Sequence, residues 1–278
     1  MSSLAGKTVI MSGGSRGIGL AIALRCARDG ANIAIIAKTD RPHAKLSGTI
    51  HDAAEQINQA GGAALPIVGD IRDDDVVFEA VNRTRETFGS IDIVVNNASA
   101  IDVSPTPHLT MKRYDLMQDI NCRGSFLLSK ASVPALRQSA QYGRDPHILT
   151  LSPPINLEPR WVGAHLGYTI AKYGMSLTTL GLAEELKADA IAVHSLWPRT
   201  TIATAAIVNM AGGEQMALRA RRPEIMADAA HVVLTDASGA PSGSFLIDDE
   251  VLAAVGQTDL SHYRYAADND ELQLDLFL

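Results

Sequence analysis

The stretch KTVIMSGGSRGIGLAIAL, residues 7–24, decides the reading of this chain. Residues 8–11 form a short apolar run rich in β-branched side chains. Ser12-Gly13-Gly14-Ser15-Arg16-Gly17-Ile18-Gly19 follows at once, and residues 20–24 are good helix formers. The order strand, glycine turn, helix gives a Gly-rich match its meaning. The first N–H groups of a helix have no partner inside it, and the helix dipole places partial positive charge there. A pyrophosphate satisfies both where no side chain blocks its approach. Gly13, Gly17 and Gly19 remove the Cβ atoms that would stand in the way. The spacing is G-x-x-x-G-x-G, not the G-x-G-x-x-G of larger dinucleotide domains, and a tight turn without a ligand is the competing reading of the motif taken alone.

Outward from that turn, the chain alternates strand and helix. Strands are predicted at residues 31–37, 64–68, 91–95, 147–151, 190–196 and 243–247, and helices at 50–59, 73–88, 111–136, 169–187 and 227–235. Residues 201–224, rich in Ala, Met and Arg, are expected to be helical, and the acidic tail ends DLFL. Repeated units of this kind imply an α/β fold, a single Rossmann-type doubly wound parallel sheet with helices on both faces. One domain is expected over residues 1–278, with a cofactor half at about 1–150 and a catalytic and substrate half at about 151–278. Ligands in such sheets bind at the carboxyl ends of the strands. The glycine turn, Lys38, Asp70, Asn96, Ser152 and Pro198 all lie at such ends, and this convergence says more than any one motif.

Composition narrows the function. The 278 residues are 46% apolar and 20% charged, which fits a globular protein with a sizeable core. A net charge of −7 without a long basic stretch argues against nucleic acid as a partner. Cys26 and Cys122 are far apart and show neither a disulfide framework nor a metal-binding spacing. No apolar run reaches the ~18 residues of a membrane span and no apolar leader core opens the chain, so a cytoplasmic location is the default expectation.

Tyr168 and Lys172 are four residues apart and so share one helix face. An ammonium beside a phenol stabilises the phenolate and lowers its pKa toward the range of an acid/base catalyst. A lone Y-x-x-x-K is commonly an amphipathic surface pair; behind a glycine turn and an Asn-Asn-Ala segment it reads as chemistry.

These motifs together resemble the short-chain dehydrogenase/reductase superfamily over nearly the whole chain: the turn at Gly13 to Gly19, Asp70, Asn96-Asn97-Ala98, Asn121, and Tyr168 with Lys172. PHAKLSGTI, LTLSPPINL, GYTIAKYGMS and LWPRT look like the hydroxysteroid dehydrogenase-like 2 branch, without the sterol-carrier domain found at the end of its animal members. The resemblance implies roles for individual residues. Tyr168 would exchange the proton at the substrate oxygen. Lys172 would hold the nicotinamide ribose and tune Tyr168, and Asn121 would support a proton-relay water. Asp70 would accept from the adenine amino group, and Asn96 would line the adenosine side. Gly13, Ser15, Arg16, Gly17, Ile18, Gly19, Lys38, Asp70, Ile71, Asn97, Ala98, Pro198 and Thr200, with Tyr168 and Lys172, would form the cofactor site.

Three positions depart from the family pattern. Ser12 replaces a threonine and keeps its hydroxyl. Ser99 replaces the glycine after Asn-Asn-Ala and would stiffen that turn. Pro153 stands where the family's catalytic serine is usual. Ser152, one residue early, is then the candidate for the substrate oxygen, although strand alternation aims it at the other face unless the two prolines re-aim it. Asn156 is an outside candidate.

For the cofactor, an acid at the end of the second strand would repel a 2′-phosphate. That position is Ala37, followed by Lys38, with Arg16 in the glycine turn. NADP(H) is therefore favoured over NAD(H); Asp40 weighs against this, and His43 and Lys45 would add to the phosphate site. The substrate wall is expected from residues 100–107, 153–167 and 200–222. Leu157, Trp161, Val162, Ile202, Ile207 and Met210 there imply a hydrophobic alcohol or carbonyl. The helices at 111–136 and 169–187 resemble the faces through which the superfamily forms homodimers and homotetramers. Two alternatives remain at this stage: an NADP(H) sensor or scaffold without turnover, and an enoyl-type C=C reductase.

Overall fold

The computed structural model describes residues 3–42, 48–209, 212–266 and 271–278. His43, Lys45 and Met210 lie outside the described residues. Seven strands form one sheet: β1 (Thr8–Ser12), β2 (Asn32–Ala37), β3 (Ala63–Val68), β4 (Ile93–Asn96), β5 (His147–Thr150), β6 (Ala192–Trp197) and β7 (Phe245–Ile247). All neighbours pair in parallel, in the order β3-β2-β1-β4-β5-β6-β7. The order reverses between β1 and β4, which opens a crevice at their carboxyl ends.

Strand alternation sorts the core into two layers. Val9 and Met11 of β1, Ile33 and Ile35 of β2, and Ile93 and Val95 of β4 face one side. There they meet α1 (Gly17–Ala27), α2 (Ile50–Gln59) and α10 (Glu224–Leu234). Ile10, Ala34, Ile36 and Val94 face the other side, against α3 (Asp74–Phe88), α5 (Gly124–Gln141) and α7 (Leu166–Glu185). The helix starts have local causes. Thr49 and Asp52 cap α2 reciprocally, and Asp73 caps α3 through the Val76 N–H. α4 (Met111–Met117) runs into α5 through a π turn, Gln118–Arg123, so the helix expected at 111–136 is interrupted where Asn121 sits.

Residues 201–224 differ from expectation. They hold two short helices, α8 (Ala205–Val208) and α9 (Gly213–Leu218), after an extended start. Thr200 bridges Leu274 and Ile202 bridges Arg221, so strand-like pairing takes the backbone groups a helix would have used. Two helices went unpredicted: α6 (Pro159–Ala164) and α11 (Asp248–Ala254).

Candidate active site

The crevice between β1 and β4 is built first from backbone. Ser12 Oγ accepts from the N–H groups of Asn97 (3.2 Å) and Ala98 (3.1 Å), and Asn97 Nδ2 donates to the carbonyls of Ser12 (3.1 Å) and Gly13 (2.8 Å). These bonds lock the loops after the two strands together. Gly13 is in the left-handed region at φ +75°, and a Cβ on Gly19 would fall 2.5 Å from Asn97 Nδ2, so neither tolerates a side chain. α1 begins without a side-chain cap, which leaves its first N–H groups free for an anion.

In front of this turn is a cavity of about 420 Å³ whose wall includes Gly13, Ser15, Arg16, Gly17, Ile18, Lys38, Asp70, Ile71, Asn97 and Ala98. Arg16 Nε is buried without a partner, and one terminal nitrogen of its guanidinium donates to the Gly48 carbonyl at 2.9 Å. Lys38 Nζ lies 3.3 Å from Asp70, which also accepts from the Arg72 guanidinium. The Arg72 bonds outweigh partial burial and hold the Asp70 carboxyl down at about 2. Asp40 is paired with His51 at 2.8 Å and does not line the cavity. The uncapped helix and the orphaned guanidinium nitrogen fit a dinucleotide phosphate here.

A second cavity, about 310 Å³, adjoins the first, and Ile18, Asn97, Ser99, Thr204 and Ala206 line both. Its wall carries Tyr168 and Lys172, one turn apart on α7. Both are buried. Lys172 Nζ donates to the Leu151 carbonyl at 2.9 Å and lies 5.1 Å from the centre of the Trp197 ring. Burial lowers the Lys172 ammonium to about 7, against the opposing pull of Asp275. Burial also pushes the Tyr168 phenol well above its ordinary value; Asp275 adds to this, and the Ser99 side chain works against it. Asn121, fully buried in the π turn, clamps Ala100 from both sides: its Oδ1 accepts from the Ala100 N–H at 2.7 Å, and its Nδ2 donates to the Ala100 carbonyl at 3.0 Å. π turns recur at functional sites.

The far wall of this second cavity comes from residues 273–276. Thr201 N–H donates to the Gln273 carbonyl (2.9 Å) and Asp275 N–H to the Arg199 carbonyl (3.0 Å). Trp197 Nε1 donates to the Leu276 carbonyl (3.0 Å). Phe277 then enters a cluster of His165, Tyr168, Tyr173, Trp161 and Trp197 rings. The strap brings Asp275 to Lys172 and Tyr168. Burial, helped by Asp248 at the start of α11, raises the Asp275 carboxyl to about 7 against the opposing Leu276 N–H and Lys172.

A profile of the short chain dehydrogenase family matches residues 7–212. The chain belongs to the short-chain dehydrogenase family. Hydroxysteroid dehydrogenase-like protein 2 of Xenopus laevis is 51% identical over 260 residues, which are 94% of this chain and 61% of that protein. The chain thus spans about three-fifths of the length of that relative. A putative dehydrogenase from Xanthomonas campestris superposes with a TM-score of 0.92 at 54% identity, covering 100% of this chain and 99% of that one. A short chain dehydrogenase from Mycobacterium thermoresistibile gives 0.90 at 53%, covering 99% and 96%.

Measured against the short-chain dehydrogenase pattern, most of the expected residues converge on the two chambers, with Pro198 on the wall of the second. Six do not line the cleft, among them Asn121, which is clamped on Ala100. Ser152 is fully buried, with its Oγ 2.7 Å from Ser195 Oγ, which in turn donates to Thr179. Strand alternation therefore wins over the two prolines, and Ser152 is corrected from substrate contact to interior hydrogen bond. Asn96 donates to Ser129 and Thr150 behind the sheet, and Asn97 takes the place on the wall. Thr200 is buried in its bridge to Leu274, leaving Thr201 and Thr204 to face the cleft. Gly19 packs on Asn97 rather than on open space. Asn156 holds Tyr173 and the Phe277 carbonyl instead of facing the substrate end. Of the expected apolar wall, Ile202 and Ile207 are in place; Leu157 is 77% exposed and Trp161 packs on Phe277. Ser99, Asp275 and the strap were not anticipated as parts of the site.

Proposed function

We propose that the chain is an NADP(H)-dependent oxidoreductase that moves hydride between nicotinamide and a hydrophobic alcohol or carbonyl compound. The observation that carries this reading is one continuous cleft. It runs from an uncapped helix with Arg16 and Lys38 at one end to Tyr168 and Lys172 in a mainly apolar chamber at the other. The nicotinamide, when bound, supplies or accepts the hydride. The chain's own residues do the rest. The uncapped start of α1 and the glycine turn hold the pyrophosphate. Asp70 and Ile71 border the adenosine end. Lys172 reaches the ribose, and Tyr168 gives a proton to, or takes one from, the substrate oxygen. Ile101, Val103, Ile202, Ile207 and Leu276 exclude water from the reacting carbon.

Arg16 and Lys38 on the wall, with Ala37 where an acid would repel a 2′-phosphate, support NADP(H). Exposed apolar side chains at Phe126 of α5 and at Leu166, Ile170, Leu177 and Leu180 of α7 support a homo-oligomer through these helices. No described helix is long and apolar enough to cross a membrane, and the described residues hold no metal-binding cluster.

The test is absorbance decay of NADPH with a panel of medium-chain aldehydes and ketones, repeated with NADH and with Lys38→Asp. Oxidation of NADPH by members of the panel, with preference moved toward NADH in the variant, is the expected result. Unchanged NADPH preference in Lys38→Asp would remove the 2′-phosphate assignment. NADPH binding without oxidation across the panel would point to a sensor instead.

A further inference from the structure

Two departures from the family pattern each concern a hydroxyl. After β5, Pro153 occupies the position of the usual serine, while Ser152 is committed to Ser195 on the interior side. After β4, Asn97-Ala98 is followed by Ser99, where glycine is usual. Ser99 lines both chambers of the cleft and shares the wall of the second with Tyr168, whose phenol its side chain works to hold down. Its other contact, Oγ to the Ala100 carbonyl, is long at 3.4 Å and weak. A donor is thus available to an incoming oxygen.

Ser99 is also held rigidly. On one side, the Ala98 N–H is fixed by Ser12 Oγ. On the other, both backbone groups of Ala100 are clamped by Asn121. The residue is not in the left-handed region, so a side chain is carried there without strain. A fixed hydroxyl beside the proton donor matches what a developing oxyanion needs: a donor already in position, with no reorganisation at the moment of reaction.

Two other polar groups on the wall are already engaged. Asn97 Nδ2 is taken by two backbone carbonyls, and Asp275 accepts from the Leu276 N–H and faces Lys172.

We infer that Ser99 supplies the second active-site hydroxyl, donating to the substrate oxygen beside Tyr168 in place of the serine missing from the end of β5. The inference rests on the oxidoreductase reading. In the reducing direction, hydride from the reduced nicotinamide adds to the carbonyl carbon and the C=O π pair moves onto oxygen. That oxygen takes the Tyr168 proton. Ser99 donates a hydrogen bond throughout and transfers no proton.

The experiment compares wild type with Ser99→Ala, Ser99→Thr and Ser152→Ala on a ketone that wild type turns over. Four quantities are read: NADPH affinity by fluorescence, kcat, KM, and the pH profile of kcat/KM for the corresponding alcohol. Ser99→Ala is expected to lose on the order of 10²-fold in kcat while binding NADPH within about threefold of wild type. Its alcohol-oxidation profile should move to higher pH, because the hydroxyl no longer supports the phenolate. Ser99→Thr recovers most of the rate, and Ser152→Ala keeps the wild-type profile. A kcat for Ser99→Ala within about threefold of wild type with an unmoved profile overturns the inference, as does a loss that appears in Ser152→Ala instead. If wild type oxidises NADPH with no carbonyl compound, the oxidoreductase reading itself has failed and this assignment falls with it.

Discussion

Truncating Phe277 to alanine should open the substrate end of the cleft while leaving the sheet folded. The ring is completely buried, with its centroid 5.3 Å from that of Tyr173, 5.4 Å from His165, 6.0 Å from Trp197, 6.2 Å from Trp161 and 6.3 Å from Tyr168. Removing a buried phenylalanyl ring costs about 3–5 kcal/mol. If that loss falls on the C-terminal strap, residues 273–277, alone, its docking equilibrium shifts by roughly 10²- to 4 × 10³-fold, at a factor of ten per ~1.4 kcal/mol. The backbone at Phe277 is left-handed, φ +75°, which disfavours any residue with a Cβ, so alanine gains no relief there. The chain's two tryptophans, Trp161 and Trp197, both flank the ring and report its departure. The expected result is a red-shifted emission, easier quenching by acrylamide, and a raised KM for apolar substrates as Leu274 and Leu276 leave the wall. The thermal midpoint should change little. A global effect of that size would instead lower it by about 6–20 °C, at about 2–4 °C per kcal/mol in large domains. Unchanged emission and KM would refute the claim that Phe277 anchors the strap.

Two further outcomes follow from other parts of the molecule. Burial, with help from His194, pushes the His147 imidazole down from 6.5 to about 4, so the folded chain resists a proton that the unfolded chain binds. His147's contribution is complete above pH ~6.5 and is lost as pH falls toward 4, at up to about 1.4 kcal/mol per unit. Urea unfolding across that range should be steeper in pH for wild type than for His147→Gln; equal slopes would contradict this. Leu177→Arg, at a position 58% exposed on the apolar face of α7, should shift sedimentation toward monomer; an unchanged assembly would place any interface elsewhere.

Local chemistry was legible in the sequence, and long-range contact was not. The strand, glycine turn and helix at residues 8–27 follow from periodicity and glycine spacing, and α2 falls at its expected bounds because Thr49 and Asp52 mark its start. Alternation along β5 aims Ser152 at the interior, and the two prolines after it do not re-aim it. Asn96 and Asn97 could not be told apart, since both are amides at a strand end; pairing with Ser129 and Thr150 draws one behind the sheet, and the Gly13 carbonyl draws the other in front. Nothing near Thr200 signals that its partner is Leu274, so the extended start of the 201–224 region and the strap were both missed. α11 was hidden because Asp248, Asp249 and Glu250 look like the beginning of an acidic tail, whereas acids suit a helix N-terminus.

In the proposed function, Tyr168 delivers the proton that completes hydride transfer in this cleft. Its most direct test uses NADPH deuterated at the transferable position, a ketone from the active panel, and mass analysis of the alcohol. Wild type should give alcohol carrying one deuterium on the former carbonyl carbon, while Tyr168→Phe binds NADPH with similar affinity and forms almost none. Deuterated alcohol formed at wild-type rate by Tyr168→Phe would rule out Tyr168 as the proton donor.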